Sequence, residues 1–240
     1  MKNPREELES LVEQGKLEEL LIRAAILHGH YCPMLSLGVI AGVYAMRELR
    51  AENTGMEEVI AIVETNNCFS DGIQFVTGCT FGNNALIYRD VGKTAVTVVK
   101  RSADAIRMAV KPETFEILNR NPENRELFRM VIEERGGTED DKKRLMKWLR
   151  EVAFDLLKKN PEELFTIRKV QEKVPEFAPI HESVICETCG ESVIVTRIVE
   201  KEGKKLCIPC AGARYYEISG KGVRQLKQYK NNEASSKRHS

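Results

Sequence analysis

Four cysteines near the end of the chain constrain its folding more than any other feature. They stand as Cys186-Glu187-Thr188-Cys189 and Cys207-Ile208-Pro209-Cys210, with 17 residues between the pairs. A two-residue gap lets both sulfurs of a pair reach one ion, and two such pairs supply the four tetrahedral ligands that zinc prefers. A segment this small has too little apolar surface to fold without that metal. Gly190 suits a tight knuckle after the first pair. Residues 191–206 alternate apolar and polar around Glu202-Gly203, which predicts a β-hairpin between the pairs, and 211–217 read as a short helix. Four thiolates fill the coordination shell, so the expected zinc is structural, with no open position for substrate.

The other three cysteines, Cys32, Cys68 and Cys79, lie in the first third and bring the total to seven. An odd number, behind an N-terminus that is acidic and polar with no apolar signal core, argues against a disulfide framework and for a cytoplasmic location. The longest apolar run, 34–46, is too short to span a bilayer, and a net charge of +1 offers no excess for nucleic acid or an acidic membrane. The chain has no P-loop, no dinucleotide-type Gly-rich loop and no G-x-S-x-G elbow. No C-x-x-C lies outside the ribbon pairs, although Cys68 and Cys79 could pair if the fold brought them together.

Hydrophobic periodicity predicts helices over 5–27, with a break at Gly15, and over 33–50, opened by Pro33 at the first helical position. Residues 58–64 read as a strand, and Ser70 or Asp71 as the cap of a short helix through Val76. The runs 85–90 and 93–101 read as a hairpin turned at Asp90-Val91-Gly92. Pro112 and Pro122 mark helix starts. Leu145, Trp148, Leu149, Val152 and Leu156 form an apolar stripe on a helix over 138–159, which could cover the core or a second copy of the chain. The expected class is α+β, a mixed or antiparallel sheet with packed helices, followed by a small treble-clef zinc finger. The expected division is a core over 1–168 with a helical region at about 112–160, a linker over 169–183, the finger over 184–217 and a mobile basic tail over 218–240.

The stretch from His28 to Pro33 reads H-G-H-Y-C-P and uses two of the four histidines in the chain. In extended backbone His28, His30 and Cys32 project to one side. Cys32 falls at the N-cap before Pro33, where free N–H groups and the helix dipole favour a thiolate.

Together with residues 64–93 this stretch resembles the FmdE family of formylmethanofuran dehydrogenase proteins. The matching positions are His28, Gly29, His30, Cys32, Pro33 and Gly38, then Cys68, Asp71, Ile73, Gln74, Gly78, Cys79, Thr80, Gly82, Asp90, Gly92 and Lys93. The likeness covers roughly residues 20–100, and Met34 stands where the family usually has glycine. The resemblance implies an α+β core with a Cys/His cleft, and a setting in one-carbon metabolism and methanogenesis beside an oxidoreductase whose molybdenum or tungsten chemistry belongs to other subunits. It suggests a second divalent metal, zinc by donor type, on some of His28, His30, Cys32, Cys68 and Cys79. His30, Cys32 and Cys68 are then the expected catalytic groups. Asp71, which could also hold an imidazole N–H, joins Gln74 and Lys93 as the substrate-binding set. A homodimer and other subunits of a dehydrogenase complex are the expected partners.

The competing hypothesis is a binding module. Here the finger and tail recognise nucleic acid or protein through Arg197, Lys201, Lys204, Lys205, Arg214, Lys221, Arg224, Lys227 and Lys230, and the core is a scaffold or sensor. Metal in the core cleft favours the first hypothesis, and salt-dependent affinity for nucleic acid the second.

Overall fold

A computed structural model of the chain describes residues 3–118 and 121–227. The chain divides into two units, Met1–Phe177 and Ala178–Ser240. In the first, α1 (Glu6–Glu13), α2 (Leu17–His28) and α3 (Pro33–Glu48) precede β1 (Val59–Val63), α4 (Cys68–Thr77) and β2 (Leu86–Tyr88). Then come β3 (Ala95–Lys100), β4 (Asp104–Val110), α5 (Pro112–Leu118), α6 (Pro122–Phe128), α7 (Glu139–Leu156), α8 (Pro161–Leu164) and β5 (Phe165–Gln171). Among the described residues the strands form one sheet ordered β2-β1-β3-β4-β5, parallel at β1/β2 and antiparallel elsewhere.

The helices expected over 5–27, 33–50 and 138–159 are present, with α1 and α2 separated at Gly15. Gly15 ends α1, and prolines open α3, α5, α6 and α8 as their fixed φ allows. The α7 stripe turns inward: Leu145, Leu149, Ala153 and Leu156 are buried, and Ser36 on α3 donates to the Ala153 carbonyl at 2.7 Å. Its start carries a reciprocal cap between Thr138 and Asp141. The core lies between α3, α4 and the sheet. Phe69, Ile73, Leu35, Leu37, Ile40, Ile60, Ile62 and Met108 are each 2% exposed or less, and full burial of such a side chain contributes roughly 1.5–3 kcal/mol.

The strand expectations fail in two places. β2 and β3 are not a hairpin: β1 lies between them, parallel to β2 through the α4 crossover and antiparallel to β3. The Asp90–Gly92 stretch is therefore a wide connection, and the tight hairpin is β3–β4. The segment from 169 is not a free linker either. β5 runs to Gln171, and beyond it Glu172 pairs with Arg89 at 2.9 Å and Val174 packs on the core. Arg101 reaches the Pro175 carbonyl and lies 3.8 Å from the centroid of the Phe177 ring.

Among its described residues the second unit contains three short antiparallel ribbons. They are β6 (Ser183–Ile185) with β7 (Ser192–Ile194), β8 (Ile198–Lys201) with β9 (Lys204–Cys207), and β10 (Tyr215–Ser219) with β11 (Gly222–Leu226). A helical turn, α9 (Ile208–Ala211), follows β9. The expected single hairpin is thus broken at 195–197, with its turn at Glu202-Gly203 as read from the sequence. The expected helix over 211–217 is shorter, and Tyr215 onward is strand. Residues 218–226, expected as mobile tail, complete the β10–β11 hairpin. Lys230 and the rest of the basic tail lie outside the described residues.

Candidate metal centres

The core site is built where α3 and α4 begin. The two helices run parallel and touch backbone to backbone. A Cβ at Gly38 would lie 2.1 Å from the Phe69 carbonyl oxygen, and one at Gly72 would lie 2.5 Å from that of Leu35. Only glycine permits that approach, and it sets both N-termini side by side. Cys32 is the N-cap of α3, itself extended, but the extended run expected over 28–32 does not form, because His28 ends α2 and Gly29 takes left-handed φ. Cys68 is the first residue of α4, one position after the true cap: Asn67 Oδ1 accepts from the Phe69 N–H at 2.9 Å. The expected caps Ser70 and Asp71 lie inside that helix, where Ser70 instead donates to the Thr65 carbonyl at 2.6 Å.

His28 and His30 arrive from α2. His28 is its last residue, and Gly29 closes it with φ +95°, which turns the chain so that the two rings approach at 4.4 Å between centroids. The ligand atoms of His28, His30, Cys32 and Cys68 all lie within 4.8 Å of one another. His28 Nδ1 is 2.7 Å from Asp71 Oδ2, and its Nε2 is 3.7 Å from Cys32 Sγ. An ionised carboxylate only accepts, so Nδ1 carries the proton and Nε2 offers its lone pair toward the sulfur. For a tetrahedral zinc the nitrogen–sulfur edge is about 3.6 Å, from Zn–N of ~2.05 Å and Zn–S of ~2.3 Å. The donor set and spacing therefore fit zinc.

Electrostatics separate the two thiols. Cys68 is brought down to about 6, first by its hydrogen bond with Cys32 and, against burial, by His28. Cys32 is pushed up by the same shared bond and by burial. Burial, then the neighbouring His28, lowers His30.

The other expected site residues divide. Gln74 Nε2 donates to the second Asp71 oxygen at 3.2 Å, so it braces that carboxylate. Lys93 is exposed on the loop beside Thr94, whose hydroxyl meets Asn67 at 3.4 Å at the head of α4. Cys79 does not join the cluster. It follows the C-terminus of α4, about 15 Å along the helix from Cys68, and its buried sulfur contacts the Val59 carbonyl at 3.3 Å. Burial holds that thiol up at about 11. Gly72 and Asn67 lie outside the sequence-predicted site residues. The visible signals were small residues spaced along apolar helices and an asparagine before the first helical residue.

In the second unit the ligand sulfurs of Cys186, Cys189, Cys207 and Cys210 likewise lie within 4.8 Å of one another. Cys189 and Cys207 sulfurs are 3.9 Å apart, close to the ~3.8 Å edge of a zinc tetrahedron of sulfurs. The Cys207 and Cys210 amides point at Cys186 and Cys207 sulfurs at 3.3 and 3.4 Å. Backbone N–H groups, Cys189's first, bring Cys186 down to about 6. Among the described residues the buried ones here are Cys186, Leu206, Cys207 and Ala211, a core too small to hold the unit unaided.

Two protein-family models cover the two centres. The model described as FmdE, molybdenum formylmethanofuran dehydrogenase operon, matches residues 27–166, and the prokaryotic dksA/traR C4-type zinc finger matches 182–216. The chain belongs to the FmdE family and is a metal-binding member carrying a C4 zinc finger. A curated protein of Archaeoglobus fulgidus, described as a probable S-adenosyl-L-methionine-binding protein, is 44% identical over 215 residues. That match covers 88% of this chain and 57% of the relative, so the chain spans little more than half of that protein. A tungsten formylmethanofuran dehydrogenase FmdE-like protein from Syntrophus aciditrophicus has a solved structure that aligns at a TM-score of 0.49 and 26% identity, over 82% of this chain and 92% of that one. Among the described residues no helix is long and apolar enough to cross a membrane.

Proposed function

We propose that the protein works through a zinc–thiolate centre in its core, in a one-carbon metabolic setting, with His28, Cys32 and Cys68 as ligands and His30 at the exposed side. The observation that carries this is the Asp71–His28–Cys32 line, in which the carboxylate fixes the tautomer and aims Nε2 at the sulfur across 3.7 Å. Bound zinc would supply Lewis acidity and stabilise thiolates near neutral pH. The chain's own residues do the rest. Asp71, braced by Gln74, holds His28, the helix N-termini favour negative charge at both sulfurs, and the exposed Lys93 is assigned to an anionic substrate. The FmdE operon description supports the one-carbon setting, with a second copy of the chain and dehydrogenase subunits as partners.

The test is metal content. Cys32→Ala should lose the core zinc and keep that of the finger, halving zinc per chain by elemental analysis. An unchanged ratio would overturn the role given to Cys32.

A second reading, binding of S-adenosyl-L-methionine, is favoured by the name of the Archaeoglobus relative. Calorimetric titration of the full chain with that compound tests it, and absence of heat at millimolar ligand would assign the name to the part of the relative this chain does not span. The nucleic-acid reading draws less support: Arg224 faces Glu217 at 3.7 Å and Lys201 reaches the Ala211 carbonyl at 3.4 Å, so some of the basic set is used within the unit.

A further inference from the structure

We propose that Cys32 and Cys68 are a reversible thiol–disulfide pair, and that closing the disulfide displaces the metal from the core centre. This rests on the metal-centre reading given above. The geometry selects this pair. The Gly38–Gly72 contact brings the starts of α3 and α4 together, and the two sulfurs lie within 4.8 Å. A disulfide needs about 2.05 Å between sulfurs, so at most ~2.8 Å remains, a distance side-chain rotation can close. The alternative pair, Cys68 with Cys79, is ruled out by the length of α4, about 15 Å.

Exposure orders the chemistry. Cys68 is half-buried and open to attack, whereas Cys32 is 6% exposed. The Cys68 thiolate attacks one sulfur of a small disulfide such as glutathione disulfide. That S–S bond breaks, the first glutathione thiolate leaves and takes a proton from water, and Cys68 carries the second glutathione. Cys32, which as a ligand is already a thiolate, then attacks Cys68 Sγ, and the mixed S–S bond breaks as the new one forms. The second glutathione leaves and is protonated in turn. Two cysteine thiols are oxidised and one glutathione disulfide is reduced to two thiols. A disulfide is no longer a thiolate donor, so the donor set of Cys32, Cys68 and His28 falls to the imidazole alone, and zinc is released.

The experiment treats the full zinc-loaded chain with glutathione disulfide. Zinc is followed with a chromogenic chelator and every cysteine is mapped by peptide mass spectrometry. The expected result is a peptide joining Cys32 to Cys68, release of about one equivalent of zinc in step with it, and recovery of bound zinc after dithiothreitol. Cys32→Ser should instead accumulate a stable glutathione adduct on Cys68, because the resolving thiol is gone. Cys79→Ser should behave as the parent chain. Core zinc retained with Cys32 and Cys68 unlinked would overturn the switch and leave the centre intact. A reduced chain holding only the finger's zinc would overturn the metal reading, and the displacement with it, whatever the mass map shows.

Discussion

The core cluster and the finger each gather four donors within 4.8 Å, two imidazoles and two thiols in one and four thiols in the other, and they stand in opposite relations to the fold. In the core, dozens of buried apolar side chains hold α3 and α4 in place, and the ligands ride on the ends of those packed helices. In the finger, two of the four buried residues among those described are candidate ligands themselves, so an ion there would be part of the fold. The outer partners differ as well. The core histidine is oriented by a carboxylate, whereas the finger sulfurs face backbone amides. A site held by its fold can lose and regain a ligand without unfolding. A site that holds its fold cannot, and this is why we place chemistry in the first and structure in the second.

The sharpest attempt to break that contrast is Cys207→Ser. Structural zinc in small fingers is worth about 10 kcal/mol or more, so the second unit should lose its ribbons and become protease-sensitive between 182 and 226. The melting transition of residues 3–177 should stay where it was. If the second unit stays folded by two-dimensional NMR, its metal is not structural.

Next in size is Gly38→Ala. The added carbon would meet a backbone oxygen at 2.1 Å, which only a shift of the helix can relieve. A loss of about 3 kcal/mol in urea unfolding is expected, together with weaker zinc retention in the core as the two helix starts move apart.

Asp71→Asn asks for less. The fold should be unchanged, and core zinc affinity measured by chelator competition should fall about 10- to 100-fold. No change would mean that the carboxylate does not orient His28.

The smallest effect concerns acidity. Without metal, the hydrogen bond from Cys32 and the neighbouring His28 bring Cys68 down to about 6, so its thiolate is expected at neutral pH and is lost as pH falls through that value. Cys32 is shifted the other way and stays protonated at neutral pH. Alkylation by iodoacetamide should therefore be faster at Cys68 and decline below about pH 6 there. Equal rates at both cysteines would contradict the assigned asymmetry.

Local signals were readable where local physics decides. Pro33, Pro112 and Pro122 mark helix starts because proline fits the first turn, and Glu202-Gly203 turns because both residues take positive φ. The strands of the sheet were harder. The Asp90–Gly92 stretch carries ordinary turn residues, and nothing in it says that β1 will insert between its flanks. Phe165 and Ile167 alternate with polar residues as an edge strand should, yet Pro175 and Pro179 a few residues on gave the region the look of a linker.

The sequence by itself determined which atoms are offered: two ribbon pairs spaced for one ion, and a run of imidazole, imidazole and thiol ending at a helix start. Their chemistry is a property of residue type and short spacing, and both are local. Only the tertiary structure decided which distant groups join them. Cys68 enters the core cluster and Cys79 does not, because glycines on α3 and α4 let two backbones touch at one end of a helix ten residues long, and that length carries the other sulfur away.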